Sequence, residues 1–233
     1  MRPVNSQFAY LAAVEQAAQR AETWLDLGCG HQFVPTWVGA RADVLPPPGC
    51  RVVGIDMDGD AIRSHAKLRM RIIGTIEQIP VACASVDLVT ANMVVEHVEH
   101  PLALFQEVAR VLRPGGRFLV HTPNLTGYTT TVTRLIPEGL RPMIAGLLQE
   151  RKSEDVYPTW YRANTIAELT KLAEASGLHL ASASTVESSA QLYRVPILGR
   201  LEERWLEFIR RQEWAAWRPV ILTQFTKAAG SPG

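Results

Sequence analysis

The sequence predicts an α/β fold built on a largely parallel sheet. Three observations carry this expectation. Apolar runs of strand length alternate with amphipathic helical stretches. The first such run, TWLDLGCG, ends in glycines, as a buried strand does on entering a tight turn. Polar residues then collect at the ends of the strands, where sheets of this kind bind ligands.

Each element follows in order. Ser6 is placed to cap a helix running to about Ala21, and the first strand follows over 23–27. Residues 31–49 are irregular, because the prolines at 46–48 forbid a regular helix. RVVGID is the second strand, closed by Asp56, and a helix is expected over 58–70. RIIGTI (71–76) and SVDLVTAN (85–92) are the third and fourth strands. Pro101 suits the first turn of a helix whose Leu102, Phe105, Val108 and Leu112 recur at helical spacing, and RPGG then stops it. RFLVHTPN is the fifth strand. Residues 124–160 hold six turn-forming Pro or Gly, too many for one long helix. The capping box T-I-A-E at 165–168 opens a helix ending near Gly177. A sixth strand is expected over 178–188, an amphipathic stretch over 197–217 and a last strand over 219–225.

Of the 233 residues, 47% are hydrophobic and 20% charged, which excludes a disordered chain and fits one with a substantial buried core. A formal charge of +1, from 24 basic against 23 acidic residues, argues against nucleic acid as a partner. The three cysteines, Cys29, Cys50 and Cys83, form no CxxC pair, so neither a disulfide framework nor a structural metal is expected and a reducing, cytoplasmic setting fits. Glu15, Gln16, Gln19 and Arg20 break the apolar start, and no later run approaches the ~18 apolar residues of a membrane span. Integral membrane contact is not expected. The expected organisation is a single domain over 1–233, with 124–160 and 188–218 as helical insertions or a cap over its core.

The loop Asp26-Leu27-Gly28-Cys29-Gly30-His31-Gln32-Phe33 has the first half of a dinucleotide fingerprint, but Phe33 occupies the third glycine position. A carboxylate at the strand end, Asp26, would repel a pyrophosphate and attract a ligand bearing an ammonium group. The two glycines let the backbone approach a nucleoside, and Asp56 at the end of the next strand can accept both ribose hydroxyl hydrogens. S-adenosylmethionine carries both features.

These residues resemble the class I S-adenosylmethionine-dependent methyltransferases of small-molecule type. The resemblance runs through D-L-G-C-G at 26–30, G-I-D at 54–56, I-P at 79–80, S-V-D-L-V at 85–89, E-H-V at 96–98 and L-R-P-G-G at 112–116. It covers roughly 22–123, with weaker support at 161–187 and 219–227. It implies a Rossmann-like three-layer sandwich whose seven-stranded, mostly parallel sheet has an antiparallel last strand. It also implies that Asp26, Gly28, Cys29 and Gly30 hold the methionine part of S-adenosylmethionine and that Asp56 holds the ribose. Met57 would pack on the adenine, a task suited to its polarizable side chain. The acid that the family often carries after the third strand is replaced here by Thr75, beside Ile76. Asn92, ending the fourth strand, joins the cofactor-binding set.

On the acceptor side, Glu96, His97 and His100 lie just past the fourth strand and His121 and Asn124 end the fifth. The segment 93–97 is similar to the E-x-x-E-H metal pattern of quinone-ring O-methyltransferases, but its first Glu is Met93 here and no bound metal is expected. Transfer from a sulfonium needs alignment more than acid catalysis. A hydroxyl acceptor would need a base, for which His97 and His121 are the candidates. The expected reaction is methyl transfer to a hydroxyl of a small biosynthetic intermediate. The rivals are a non-catalytic module of the same fold and a nicotinamide-dependent oxidoreductase. The apolar stripe of 190–217, with Trp205, Trp214 and Trp217, is expected to cap the acceptor site or form a homodimer rather than touch a membrane surface, with packing on the sheet as the alternative.

Overall fold

The computed structural model describes residues 5–39, 43–135, 158–188 and 196–229. Seven strands form one sheet in the order β3-β2-β1-β4-β5-β7-β6. They are β1 (Thr23–Leu27), β2 (Arg51–Asp56), β3 (Met70–Ile73), β4 (Val86–Asn92), β5 (Leu112–Pro123), β6 (Leu178–Val186) and β7 (Val220–Lys227). All neighbours pair in parallel except β7, which runs antiparallel to both β5 and β6. The expected seven-stranded sheet with an antiparallel last strand is therefore present.

Alternation along the central strands divides the core in two. Leu25 and Leu27 of β1 face a cluster built with Leu104, Phe105 and Val108 of α3 (Pro101–Val111) and Leu169 and Ala173 of α5 (Ile166–Ala175). Trp24 faces the opposite cluster with Tyr10, Leu11 and Val14 of α1 (Ser6–Ala18) and Ile62 of α2 (Gly59–Ser64). Helices thus cover both faces, and three layers result.

Several boundaries differ from the sequence reading. The cap of α1 is Asn5, whose Oδ1 accepts the Gln7 N–H at 2.9 Å, and Ser6 is the first helical residue. Helix α2 stops at Ser64 rather than near residue 70, because His65 leaves the helical backbone with ψ 102° and is buried. Strand β3 ends at Ile73, so Thr75 and Ile76 lie beyond it. Helix α3 stops at Val111, directly before RPGG, but the strand begins at Leu112 rather than at Arg117, so RPGG lies inside β5, whose pairing to β4 is interrupted by a register shift. Thr165 forms the expected capping box with Glu168, and Gly177 follows α5 at φ +78°. In the 124–160 stretch α4 (Tyr128–Leu135) is described and residues 136–157 lie outside the described residues.

In the 190–217 stretch the described part is α6 (Pro196–Ile209) and a 3-10 turn over Gln212–Trp217. Leu206 and Ile209 are buried, while Ile197 and Leu201 are exposed. Trp205 meets the rings of Tyr128, Phe208 and Trp217, and Phe208 meets Trp214. Asn124 donates to the Ala216 and Arg218 carbonyls, which ties this stretch to the end of β5. Among the described residues no helix is long and apolar enough to cross a membrane.

Candidate functional site

The carboxyl ends of β1, β2, β4 and β5 bring Asp26, Asp56, Asn92 and His121 to one edge of the sheet. The glycine loop crosses that edge with Gly28 at φ +56° and Gly30 at φ +50°. A Cβ on Gly28 would stand 2.5 Å from Val94 Cγ2, so this turn is closed to larger residues. A Cβ on Gly30 would meet nothing within 4 Å, so the backbone there faces open space.

Asp56 ties the loop to the start of α2. Its Oδ2 accepts the Gly30 N–H at 2.8 Å and its Oδ1 the Asp58 N–H at 2.9 Å. Each oxygen retains a lone pair, and the side chain is part-exposed. Met57, 62% exposed, and the exposed Thr75 flank it, while Ile76 packs against the core.

Asp26 is buried beneath the loop. Burial pushes its carboxyl up to about 7, although the Thr90 hydroxyl, donating to Oδ1, works the other way. Thr90 in turn accepts the Trp24 indole N–H at 2.6 Å. Cys29 is buried too, and burial first, then the Asp26 and Asp56 charges, hold its thiol far above its ordinary range. It is a space-filling residue whose side chain no ligand reaches as a thiolate.

Asn92 is fully engaged: its Nδ2 donates to Phe33 O and Gln7 Oε1, each at 3.1 Å, and its Oδ1 faces Gln7 Nε2 at 3.2 Å and His121 Nδ1 at 2.7 Å. The amide therefore clamps α1 and the loop to the sheet, leaving no side-chain group for a cofactor. His121 does not present itself to an acceptor. It is fully buried, its ring stacks on Tyr10, and desolvation holds it down to about 3, far from a working base.

His97, half-buried, lies just past the end of β4 at this edge, where His31 of the glycine loop is also exposed. Its Nδ1 lies 2.8 Å from Pro158 O, and since a carbonyl only accepts, Nδ1 carries the hydrogen. In the neutral ring Nε2 then holds the lone pair, 4.0 Å from Oε1 of the buried Glu96. Glu96 accepts the Thr122 hydroxyl at 2.9 Å, and Asn164 donates to Thr122 at 2.8 Å. Its carbonyl accepts the Trp160 N–H, so the 158–164 segment is fastened over the end of β4. Among the described residues no group of His, Cys, Asp and Glu is arranged to hold a metal ion. Sequence reasoning overlooked Val94, Thr90 and Tyr10. All three read as ordinary core positions, and only their spatial neighbours reveal them.

Residues 25–120 match the methyltransferase domain family. Over 103 residues the chain is 48% identical to a malonyl-[acyl-carrier protein] O-methyltransferase of Hahella chejuensis, a match covering 42% of the chain and 35% of the relative. The stretches shared with three of the curated relatives span only 33% to 37% of those proteins' lengths. Among solved structures, geranyl diphosphate C-methyltransferase from Streptomyces coelicolor in complex with S-adenosyl-L-homocysteine superposes with a TM-score of 0.58 at 15% identity, covering 95% of this chain and 76% of that one. The [4+2]-cyclase SpnF superposes equally, at 0.58 and 14% identity, covering 95% and 82%.

Proposed function

Since residues 25–120 form a methyltransferase domain on the class I, Rossmann-like sheet, we propose that this chain binds S-adenosylmethionine and moves its methyl group to a hydroxyl of a small-molecule acceptor. The observation that carries this reading is the Asp56 carboxylate, which pins the Gly30 and Asp58 N–H groups and keeps a lone pair on each oxygen at a part-exposed strand end. That pair of acceptors fits two ribose hydroxyls, each donating its hydrogen. The open face at Gly30 and the exposed Met57 and Thr75 fit a nucleoside lying across the edge. The third position of the loop supports the same reading against a nicotinamide dinucleotide: Phe33 is buried and stacked on Trp24, where a pyrophosphate cradle would need a glycine.

When bound, S-adenosylmethionine supplies a methyl group on a sulfonium, an electrophile whose leaving group is a neutral thioether. The chain's contribution is therefore alignment and one proton transfer. His97 takes the acceptor's proton at Nε2, with Pro158 O holding the ring in that tautomer and the Glu96 carboxylate as counter-charge. Likeness to an O-methyltransferase supports oxygen as the acceptor atom.

Calorimetry with S-adenosylmethionine, S-adenosylhomocysteine and NAD tests the cofactor, and transfer of labelled methyl to a panel of hydroxylated acceptors tests the reaction. Micromolar binding of the first two and none of NAD is expected. The His97→Ala variant should keep cofactor affinity and lose about 10²- to 10⁴-fold in turnover. A second reading, other chemistry on the same fold, is favoured by the likeness to SpnF. Binding without transfer to any acceptor would select it.

A further inference from the structure

Past the end of β4 a buried chain of hydrogen bonds decides where each hydrogen sits. Asn164, 0% exposed, donates from Nδ2 to Thr122 Oγ1 at 2.8 Å and to Pro123 O at 3.1 Å. Pro123 O can only accept, so the amide nitrogen lies on this side and Thr122 Oγ1 accepts from it. The Thr122 hydrogen then goes to Glu96 Oε2 at 2.9 Å. The Glu96 backbone is held as firmly, its carbonyl accepting the Trp160 N–H at 2.8 Å and the Tyr161 N–H at 3.2 Å. Tyr161 keeps that place at φ +50°, a strained setting for a residue with a side chain and one that collects at ligand clamps.

With Oε2 engaged, Oε1 is the Glu96 oxygen that faces His97, 4.0 Å from Nε2. Both atoms are acceptors, since Pro158 O takes the Nδ1 hydrogen of the ring. Neither can give the other a hydrogen while the imidazole is neutral, and a carboxylate oxygen has lone pairs for more than one donor. A single hydroxyl carries one hydrogen and serves one of the two. Two hydroxyls on neighbouring carbons serve both, one at each atom, with hydrogen bonds splayed across the 4.0 Å gap. The Glu96 side chain is 5% exposed against 29% for His97, so the hydroxyl on Glu96 is the inner one, in a water-poor setting where a charge-assisted bond counts most.

We propose that Glu96 is an acceptor-binding residue and that the acceptor is a vicinal diol, with one hydroxyl on His97 Nε2 and its neighbour on Glu96 Oε1. This rests on the reading above, in which His97 is the base for a hydroxyl, and it names the class of acceptor. The hydroxyl on His97 gives its proton to Nε2 while its oxygen takes the methyl group from the sulfonium, which leaves as the neutral thioether. The hydroxyl on Glu96 keeps its hydrogen. The reaction therefore stops at the monoether, whose methoxy oxygen has no hydrogen for Oε1.

The test measures binding by calorimetry to the chain saturated with S-adenosylhomocysteine. Catechol is compared with its monomethyl ether guaiacol, and vicinal cis-cyclohexanediol with cyclohexanol, so that the two arms separate aromatic from aliphatic diols. In at least one arm the diol is expected to bind about tenfold more tightly than its one-hydroxyl partner. Glu96→Gln turns the amide oxygen to Thr122 and a donor toward Nε2, which should bring that ratio to about one while S-adenosylhomocysteine affinity holds within about twofold. Should Glu96→Gln fail to fold, Thr122→Val releases Oε2 and is expected to lower the ratio, which Thr122→Ser keeps. A wild-type ratio near one in both arms, or a ratio unchanged in whichever of Glu96→Gln and Thr122→Val folds, overturns the proposal and leaves the cofactor reading standing. A wild type that does not bind S-adenosylhomocysteine removes the cofactor reading, and the inference with it.

Discussion

Asp56 Oδ2 accepts the Gly30 N–H at 2.8 Å, so the acid closing β2 shapes the loop that follows β1. The same carboxylate steadies Asp58, which caps α2 through the Asp60 and Ala61 N–H groups. Asp56→Ala therefore loosens both loops and removes the two acceptors proposed above for the ribose. The expected loss of S-adenosylmethionine affinity is roughly 2–4 kcal/mol, two charge-assisted hydrogen bonds partly replaced by water. Calorimetry on the folded variant reads it, and unchanged affinity would take Asp56 out of the site.

Gly28 should tolerate no side chain. Its φ of +56° and the 2.5 Å approach of a Cβ to Val94 act together, so Gly28→Ala is expected to destabilise the fold by about 1–3 kcal/mol in urea titrations. Adding Val94→Ala removes the collision and leaves the backbone strain. The double variant should be less impaired than the sum of the single ones, and strict additivity would show that the contact does not matter.

Asp26 and His121 make opposing contributions to stability against pH. Asp26 has its folded value raised to about 7 against an ordinary 3.8, so the folded state holds the extra proton, and stability is lost as pH rises from about 4 through 7. His121, depressed to about 3 from 6.5, acts in reverse: its contribution is present above 6.5 and lost as pH falls toward 3. His65, held down to about 4 by burial, adds to the second effect. The ligand-free Asp26→Asn variant, able to accept from Thr90 but unable to ionise, should gain on wild type as pH rises from 4 to 7, by up to ~4 kcal/mol at ~1.4 kcal/mol per unit. Urea unfolding at several pH values measures the gap, and a gap that stays flat contradicts the buried-acid account.

Much of this was legible because apolar runs and turn residues act locally. The strand at 23–27, the Thr165 capping box and the chain reversal at Gly177 each follow from a few neighbouring residues. Asp26 and Asp56 could be picked out because acids at strand ends beside glycines are chemically unusual. What stayed hidden depends on partners distant in sequence. His121 reads as a candidate base until the fold lays Tyr10 over it, and Asn92 reads as a ligand until Gln7, Phe33 and His121 take its hydrogen bonds. The shortened α2 and the early start of β5 likewise reflect burial of His65 and the pairing of Leu112 with Val86.

A hydrogen bond between α4 and α6 attaches α6 to the rest of the fold. Glu202 is buried there, and its Oε1 accepts the Tyr128 hydroxyl from α4 at 2.8 Å. Burial of Tyr128, with the neighbouring Glu202 charge, keeps that phenol protonated, so it remains the donor at any pH where the protein is folded. Tyr128→Phe keeps the ring contact with Trp205 but deprives a buried carboxylate of a charge-assisted bond, which costs about 1.5–3 kcal/mol. Because α4 and α6 lie away from Asp56 and the glycine loop, S-adenosylhomocysteine affinity should hold while urea resistance falls. If the aromatic cluster covers the acceptor, turnover falls as well, since the cover over the end of β5 loosens. If instead α6 is a contact between two copies through the exposed Ile197 and Leu201, Leu201→Glu will shift the sedimentation coefficient and Tyr128→Phe will not. A Tyr128→Phe protein with wild-type urea resistance would mean that the Glu202 carboxylate finds its stabilisation elsewhere, and that this bond does not hold α6 in place.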